Sequence, residues 1–216
     1  YILDPMNDAI LAYEMNGSPL PPDHGYPLRV ILPGFVGGRM IKWLKKITIS
    51  DKESTSFYHW GDNKVLPSHI DTIAAAESWW SKPEYTIYEM NVNSIIASPG
   101  HEYLVKVETI DDKDTIEIRG YAYSGGGRPI VRVELSTDGG KTWQLTKLSF
   151  LPNKFRHGWK CWTWCHWSFD LPKWKLLLMH GHELIVRAWD RSMQTQPEKP
   201  TWNILGQMNN SCTFSF

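Results

Sequence analysis

The sequence predicts a mainly β protein: an immunoglobulin-like β-sandwich preceded by a short α+β tail. Three observations point there. Between residues 103 and 190, apolar and polar residues alternate over short stretches, as half-buried strands do. Turn residues punctuate those stretches at intervals a sandwich needs. Finally, the 216-residue chain holds 12 Trp yet has 23 Lys+Arg against 23 Asp+Glu. Balanced charge with so much Trp implies large aromatic surfaces buried in a core or against a partner.

The elements follow in order. Asp4-Pro5 predicts a helix, Asp as N-cap and Pro in the first turn, running through Asn7 to Met15 and ended by Asn16-Gly17. Pro19, Pro21 and Pro22 then break regular structure. Leu28 to Leu32 is a short apolar strand, and Pro33-Gly34 and Gly37-Gly38 are turns. Residues 51 to 101 are loop-rich, with turns at Gly61-Asp62-Asn63, Lys82-Pro83 and Pro99-Gly100 and a short helix within Ile70 to Trp80.

The strands come next. Tyr103 to Ile110 and Thr115 to Tyr123 alternate across the acidic turn Asp111-Asp112-Lys113-Asp114. Ile130 to Ser136 turns at Asp138-Gly139-Gly140 into Thr142 to Leu148, a hairpin signal. Trp159 to Leu171 and His182 to Asp190 are two further strands, and a last one lies within Gln207 to Phe216.

Composition excludes several classes of function. Zero net charge disfavours a general nucleic-acid binder. No apolar run is long enough to cross a bilayer. Three cysteines, an odd number, do not make a disulfide-rich secreted scaffold, so a reducing compartment is expected. No signal peptide is visible, and the chain starts at Tyr1, so a preceding segment is expected.

Residues 159 to 167 read WKCWTWCHW. As a strand they would put Trp159, Cys161, Thr163, Cys165 and Trp167 on one face, and Lys160, Trp162, Trp164 and His166 on the other. A sandwich needs one apolar face per strand, so the second is either a contact with another chain or covered by a loop of this one. Four strand residues span roughly 13 Å, too far for a disulfide between Cys161 and Cys165, whose Cα atoms would need to lie within about 7 Å. No familiar zinc spacing involves these cysteines or His180-Gly181-His182.

No nucleophile elbow, Walker loop or dinucleotide fingerprint is present. Ser124-Gly-Gly-Gly127 follows a strand and precedes another, so it reads as a turn rather than a phosphate loop. Residues 23 to 46 stand apart: five Lys/Arg against one acid give +4, while residues 1 to 22 carry −3 and the remainder −1. His24, Arg29, Arg39 and Lys42 fall within 19 residues, beside Gly37-Gly38. Arg binds phosphate bidentately, Lys adds a point charge, and glycine lets backbone N–H groups approach a ligand. Spacing alone leaves open an anion site or a solvated basic face.

Here motif passes into likeness. DHGYPLRVILPGFVGGRMIKWLKKI resembles the segment ending the molybdenum-cofactor domain of the sulfite oxidase and eukaryotic nitrate reductase family. GYAYSGGGRPIVRVELSTDGGKTW and RAWDRSMQTQPEKPTWNILGQMNN resemble the start and end of that family's dimerisation domain. ESWWSKPEYTIYEMNVNSIIASPGHE and CWTWCHW resemble assimilatory nitrate reductases more than sulfite oxidases. Sulfite oxidases carry Arg two residues after the Asn of the terminal Trp-Asn pair, and nitrate reductases usually Met. Here Leu205 follows Trp202-Asn203. The missing charge suits a monoanion such as nitrate.

The resemblance implies residues 1–44 as the end of the molybdopterin-binding domain and 45–216 as an immunoglobulin-like dimerisation domain. It implies that His24, Arg29 and Lys42 bind the phosphate and pterin, that Arg39 and Met40 line the same pocket, and that Asn203 and Leu205 lie near the substrate funnel. It further implies a cytoplasmic homodimer that reduces nitrate to nitrite at molybdenum. Electrons would arrive from NAD(P)H through FAD and haem on further domains. The family's molybdenum-ligating Cys lies upstream in a motif that none of Cys161, Cys165 or Cys212 occupies, so this polypeptide alone is expected to be inactive. The alternatives are a sulfite oxidase and a non-enzymatic immunoglobulin-like module. The segment Asp23 to Lys46 argues against the second.

Overall fold

The computed structural model describes residues 2–104, 113–151, 158–179 and 183–215. Most of the predicted strand Tyr103 to Ile110, half of its acidic turn, and His180 to His182 lie outside them. Packing divides the chain into two compact units. The first is Tyr1–Met90 with Thr201–Asn209, and the second is Asn91–Pro200 with Asn210–Phe216.

The second unit is the predicted sandwich. Its strands are β5 (Asn93–Ser98), β6 (Thr115–Tyr123), β7 (Ile130–Ser136), β8 (Gln144–Leu145), β9 (Lys147–Phe150), β10 (Cys165–Pro172), β11 (Glu183–Asp190) and β12 (Thr213–Ser215). One sheet runs β5-β6-β10-β9 and the other β12-β11-β7-β8, with antiparallel neighbours throughout. The period-two pattern decides which side faces in. Ile118, Ala122, Cys165, Trp167 and Leu171 of one sheet pack with Val133, Leu135, Leu184, Val186 and Ala188 of the other. Gly120 stands mid-strand because a Cβ there would lie 2.0 Å from Ile95 O and 2.4 Å from the Trp167 ring. Its absence leaves room for the indole to pack against β6.

The expected strand Trp159 to Leu171 begins only at Cys165. Residues 159 to 164 instead lie against the turn after β6: Cys161 N–H donates to Gly127 O at 2.8 Å, and a Cβ on Gly127 would lie 3.0 Å from Trp162. The two-faced strand is therefore replaced by a loop, and the strand geometry invoked to keep Cys161 and Cys165 apart does not apply. Both are buried free thiols, as is Cys212. Burial, with Cys161 nearby, pushes the Cys165 thiol up to about 12.

The first unit is loop-rich. Its strands are β1 (Ile10–Ala12), β2 (Glu14–Met15), β3 (Ser18–Pro19) and β4 (Arg29–Ile31), and its helices the single turns α1 (Phe57–Trp60) and α2 (Ile73–Ala76). The helix expected from Asp4 to Met15 is only a 3-10 turn, Pro5–Asn7. Asp4 caps it as expected, accepting from Met6 N at 2.9 Å, but Asp8 turns left-handed (φ 52°) and ends it. Ile10 to Ala12 then pairs antiparallel with Arg29 to Ile31, a tertiary contact that overrides local propensity. A small core of Leu66, Ile70 and Ala76 packs with Trp79, Trp80, Tyr85 and Ile204. Among the described residues, no helix is long and apolar enough to cross a membrane.

Candidate functional site

The basic segment folds back on itself. β4 is followed by the 3-10 turn Gly37–Arg39, and residues 41 to 44 return beside β4: Val30 N donates to Ile41 O at 2.9 Å, and Leu44 N to Leu28 O at 2.8 Å. A second 3-10 turn, Pro22–His24, ends at Gly25 with φ 111°. Glycine is required there twice over. The backbone is left-handed, and a Cβ would lie 3.1 Å from Lys42 Cβ and 3.3 Å from Arg29 Cβ.

This close approach brings three predicted residues together. Arg29 Nη1 donates to His24 O at 3.0 Å, and Lys42 Nζ donates to Asp23 O at 2.7 Å. Trp43 Nε1 donates to Pro22 O at 2.9 Å and locks the same turn. His24 and Lys42 are exposed and Arg29 is half-buried. Arg29 Nε is buried without a hydrogen-bond partner, a donor left over after the local structure has been satisfied.

Arg39 is held by different groups. Its Nε donates to Ile87 O at 2.9 Å, its Nη1 lies 3.2 Å from His59 Nδ1, and its guanidinium sits 5.0 Å from the Tyr88 ring centroid. Arg is always a donor, so His59 Nδ1 accepts and its Nε2–H is left to donate to Glu53 Oε2 at 3.2 Å. Arg39 Nη2 is buried without a partner. Met40 follows, half-buried, its N–H donating to Gly37 O at 3.0 Å. Beneath this group lies Lys64, fully buried, donating to Lys82 O at 2.7 Å and Thr86 Oγ1 at 2.9 Å. Burial holds its ammonium below the usual lysine range.

Asn203 is buried and folds its own turn. Its Nδ2 donates to Gln207 O at 2.9 Å and its Oδ1 accepts from Gln207 N at 3.2 Å. Leu205 stands on that turn with an exposure of 37%. Gln207 Nε2 donates to Asp62 Oδ1 at 3.0 Å.

The structure thus joins His24, Arg29 and Lys42 at one turn. Arg39 is anchored apart from them, and Asn203 with Leu205 belongs to a turn tied to Asp62. Sequence reasoning missed His59, Lys64, Asp62 and Asn63 as members of this unit. Gly61-Asp62-Asn63 carried a turn signal, but nothing in the sequence marks Lys64 as buried. Among the described residues, no group of three or more His, Cys, Asp or Glu could hold a metal ion.

A sequence model of the oxidoreductase molybdopterin binding domain matches residues 2–58, and one of the Mo-co oxidoreductase dimerisation domain matches residues 84–214. The chain is 50% identical over 213 residues to a nitrate reductase [NAD(P)H] of Hordeum vulgare, covering 98% of this chain and 24% of that protein. It is 49% identical over 215 residues to nitrate reductase [NADH] 2 of Arabidopsis thaliana, covering 99% of this chain and 23% of that protein. It therefore spans about a quarter of the length of the curated relatives it matches. Among solved structures, the sulfane dehydrogenase SoxCD of Paracoccus pantotrophus superposes with a TM-score of 0.67 at 25% identity, over 95% of this chain and 47% of that one.

Proposed function

The chain belongs to the molybdenum-cofactor oxidoreductases that carry this dimerisation domain, and from that premise we propose that it is the dimerisation region and part of the molybdopterin site of a nitrate reductase. The observation that carries the reading is the turn at Gly25. It gathers His24, Arg29 and Lys42, within a segment of net charge +4, and leaves a buried guanidinium donor unused.

Those residues fit molybdopterin, a pterin bearing a phosphate. Arg29 and Lys42 are pinned by backbone carbonyls of residues 23 and 24, so less side-chain freedom is lost when an anion binds. The remaining N–H groups of Arg29, with Lys42 and His24, would hold the phosphate by charge-assisted hydrogen bonds. Arg39 Nη2 is a second unused donor, for the pterin. The bound group would supply oxygen-atom transfer, converting nitrate to nitrite. Leu205 is neutral and half-exposed on the Asn203 turn, so it presents no full positive charge to a substrate. That selects a monoanion over the sulfite dianion. FAD, haem and the NAD(P)H site would belong to further domains, and the protein would be cytosolic.

The test is made on the full-length protein containing this chain. Wild type should reduce nitrate far faster than it oxidises sulfite, and Arg29→Ala should lose molybdopterin while remaining folded. Sulfite oxidation without nitrate reduction would overturn the assignment. Leu205→Arg should shift preference towards sulfite.

The same family implies a homodimer built through the sandwich. We place the contact on the outward face of the sheet β5-β6-β10-β9. There Trp164 packs on Tyr121 and Tyr123, with centroids at 4.9 and 5.0 Å, and remains 42% exposed. Trp is enriched in the buried centre of interfaces. Trp164→Glu should turn a dimer into a monomer by sedimentation, and an unchanged dimer would move the contact elsewhere.

A further inference from the structure

Residues 59 to 83 lie between the stretches matched by the two family models, yet they hold both halves of the first unit in register. Gln207 is 145 residues from Asp62 in sequence, and Asp62 Oδ1 accepts from its Nε2 at 3.0 Å and from Asn63 N at 2.8 Å. Asn63, left-handed at φ 53°, places its side chain over Gly38, where a Cβ would lie 2.7 Å from Asn63 Oδ1. Asn63 O accepts from Ile87 N at 2.8 Å, and Ile87 O in turn accepts from Arg39 Nε at 2.9 Å. One dipeptide therefore touches the turn Gly37–Arg39 on one side and the turn Asn203 to Gln207 on the other.

We propose that Asp62 is a positioning residue that fixes the turn bearing Leu205 relative to the turn bearing Arg39. The proposal rests on the reading of those two turns as substrate side and cofactor side. The Asn203 turn is closed by its own hydrogen bonds: Gly206 N to Asn203 O at 2.9 Å, and the two bonds between Asn203 and Gln207. It can therefore move as a unit, and the Asp62 carboxylate holds it in place from outside. Cofactor binding would not depend on this bond, because Arg29, Lys42 and His24 are organised without it. Substrate affinity would.

The test compares Asp62→Ala with Asp62→Asn in the full-length holoenzyme. The amide of the Asp62→Asn variant keeps an oxygen that can accept both hydrogen bonds. Asp62→Ala should raise KM for nitrate by up to about tenfold, the ceiling set by losing the charge-assisted hydrogen bond to Gln207 that holds the turn, with kcat and molybdenum content unchanged. It should also speed amide exchange at Gly206 and Gln207. Asp62→Asn should stay near wild type in both. Should Asp62→Ala fail to fold, Gln207→Ala removes the same bond from the other side and should give the same KM and exchange changes. Unchanged exchange at 206–207, a fall in molybdenum content, or an Asp62→Asn enzyme as impaired as the alanine variant would overturn the proposal. A wild type inactive on nitrate would overturn the functional reading instead, and the exchange experiment would still decide the role of Asp62.

Discussion

The two units differ in what pairs with their guanidinium groups. In the sandwich, Asp190 is fully buried and fully paired: it accepts from Ser124 Oγ (2.9 Å), Arg128 Nε (3.0 Å), Ser192 N (2.8 Å) and Gln194 N (3.1 Å). Glu134 accepts from Arg187 Nε at 2.7 Å and Trp189 Nε1 at 2.9 Å, while the Arg187 guanidinium lies 3.8 Å from the Trp143 ring centroid. In the first unit, Arg29 and Arg39 each keep a buried donor unused. An unpaired buried donor is destabilising, and two of them on cationic side chains fit the ligand site proposed above. The sandwich has two orphans of its own: Arg132 Nε, which lacks a hydrogen bond but is ion-paired with Glu134 Oε1 at 3.3 Å, and Trp167 Nε1. The latter is a neutral indole whose ring packs over Gly120, and burial of the whole side chain outweighs one lost hydrogen bond. The sandwich guanidiniums of Arg128, Arg132 and Arg187 each meet a carboxylate of the sandwich, whereas Arg29 and Arg39 are held by backbone carbonyls and each keep a donor spare.

The largest expected effect breaks the sandwich side of this contrast. Asp190→Ala leaves the half-buried Arg128 guanidinium without its carboxylate and frees the 190–194 turn. Removing one partner of a buried pair costs about 3–5 kcal/mol. Chemical denaturation should show a loss of that size, and a change below about 1 kcal/mol would mean that the network is not structural.

Arg29→Ala should behave in the reverse way. Its side chain is half-buried and makes one hydrogen bond to a backbone carbonyl, at 3.0 Å. Stability should fall by about 1 kcal/mol or less, while molybdopterin retained by the full-length enzyme should drop at least about tenfold. A stability loss matching that of Asp190→Ala, with cofactor content intact, would erase the distinction between the units.

How much of this was legible beforehand follows the same division. β6 and β7 have the predicted bounds, because period-two alternation with flanking turn residues depends on local sequence alone. Asp4 as a cap was legible too, since capping is local. That the expected helix stops at Asn7 was not, because Ile10 to Ala12 pairs with a strand 19 residues away. The aromatic run 159–164 misled for a related reason: Trp and Thr favour strands, but packing on Gly127 took precedence. In the site, the cationic types and spacing of His24, Arg29 and Lys42 were visible. That Gly25 lets Arg29 and Lys42 meet was not, nor was the burial of Lys64, since a lysine carries no sequence sign of being enclosed.

Cys165 sharpens the comparison through pH. Its folded thiol sits at about 12 against 9.0 for an ordinary one. Between these values the unfolded chain has released a proton that the folded chain retains. Stability of the sandwich should therefore decline as pH rises from about 9 to about 12. Cys165→Ser should flatten that decline, and Cys165 should resist alkylation at pH 8 until the protein unfolds. Rapid labelling of the native protein would show that the core opens. The result also bears on the metal. A thiol held protonated makes a poor molybdenum ligand, and the isolated 216-residue chain should bind no stoichiometric molybdenum.

The smallest effect lies at the turn after β7. Asp138 Oδ1 accepts from Thr142 N at 2.9 Å and from Ser136 Oγ at 2.8 Å, and Oδ2 accepts from Thr142 Oγ1. These bonds favour the charged carboxylate and pull it down from 3.8 to about 2. The sign is opposite to that of Cys165. The unfolded chain takes up its proton first as pH falls, so the stabilisation present above about pH 4 is lost between about 4 and 2. The group stands on a surface turn, half-buried, and solvent keeps the effect small. Asp138→Asn should remove the acid-side slope with little change at neutral pH. If molybdopterin content fell as well, a charge in the sandwich would be serving a ligand, and the division between structural and ligand-directed charges would fail.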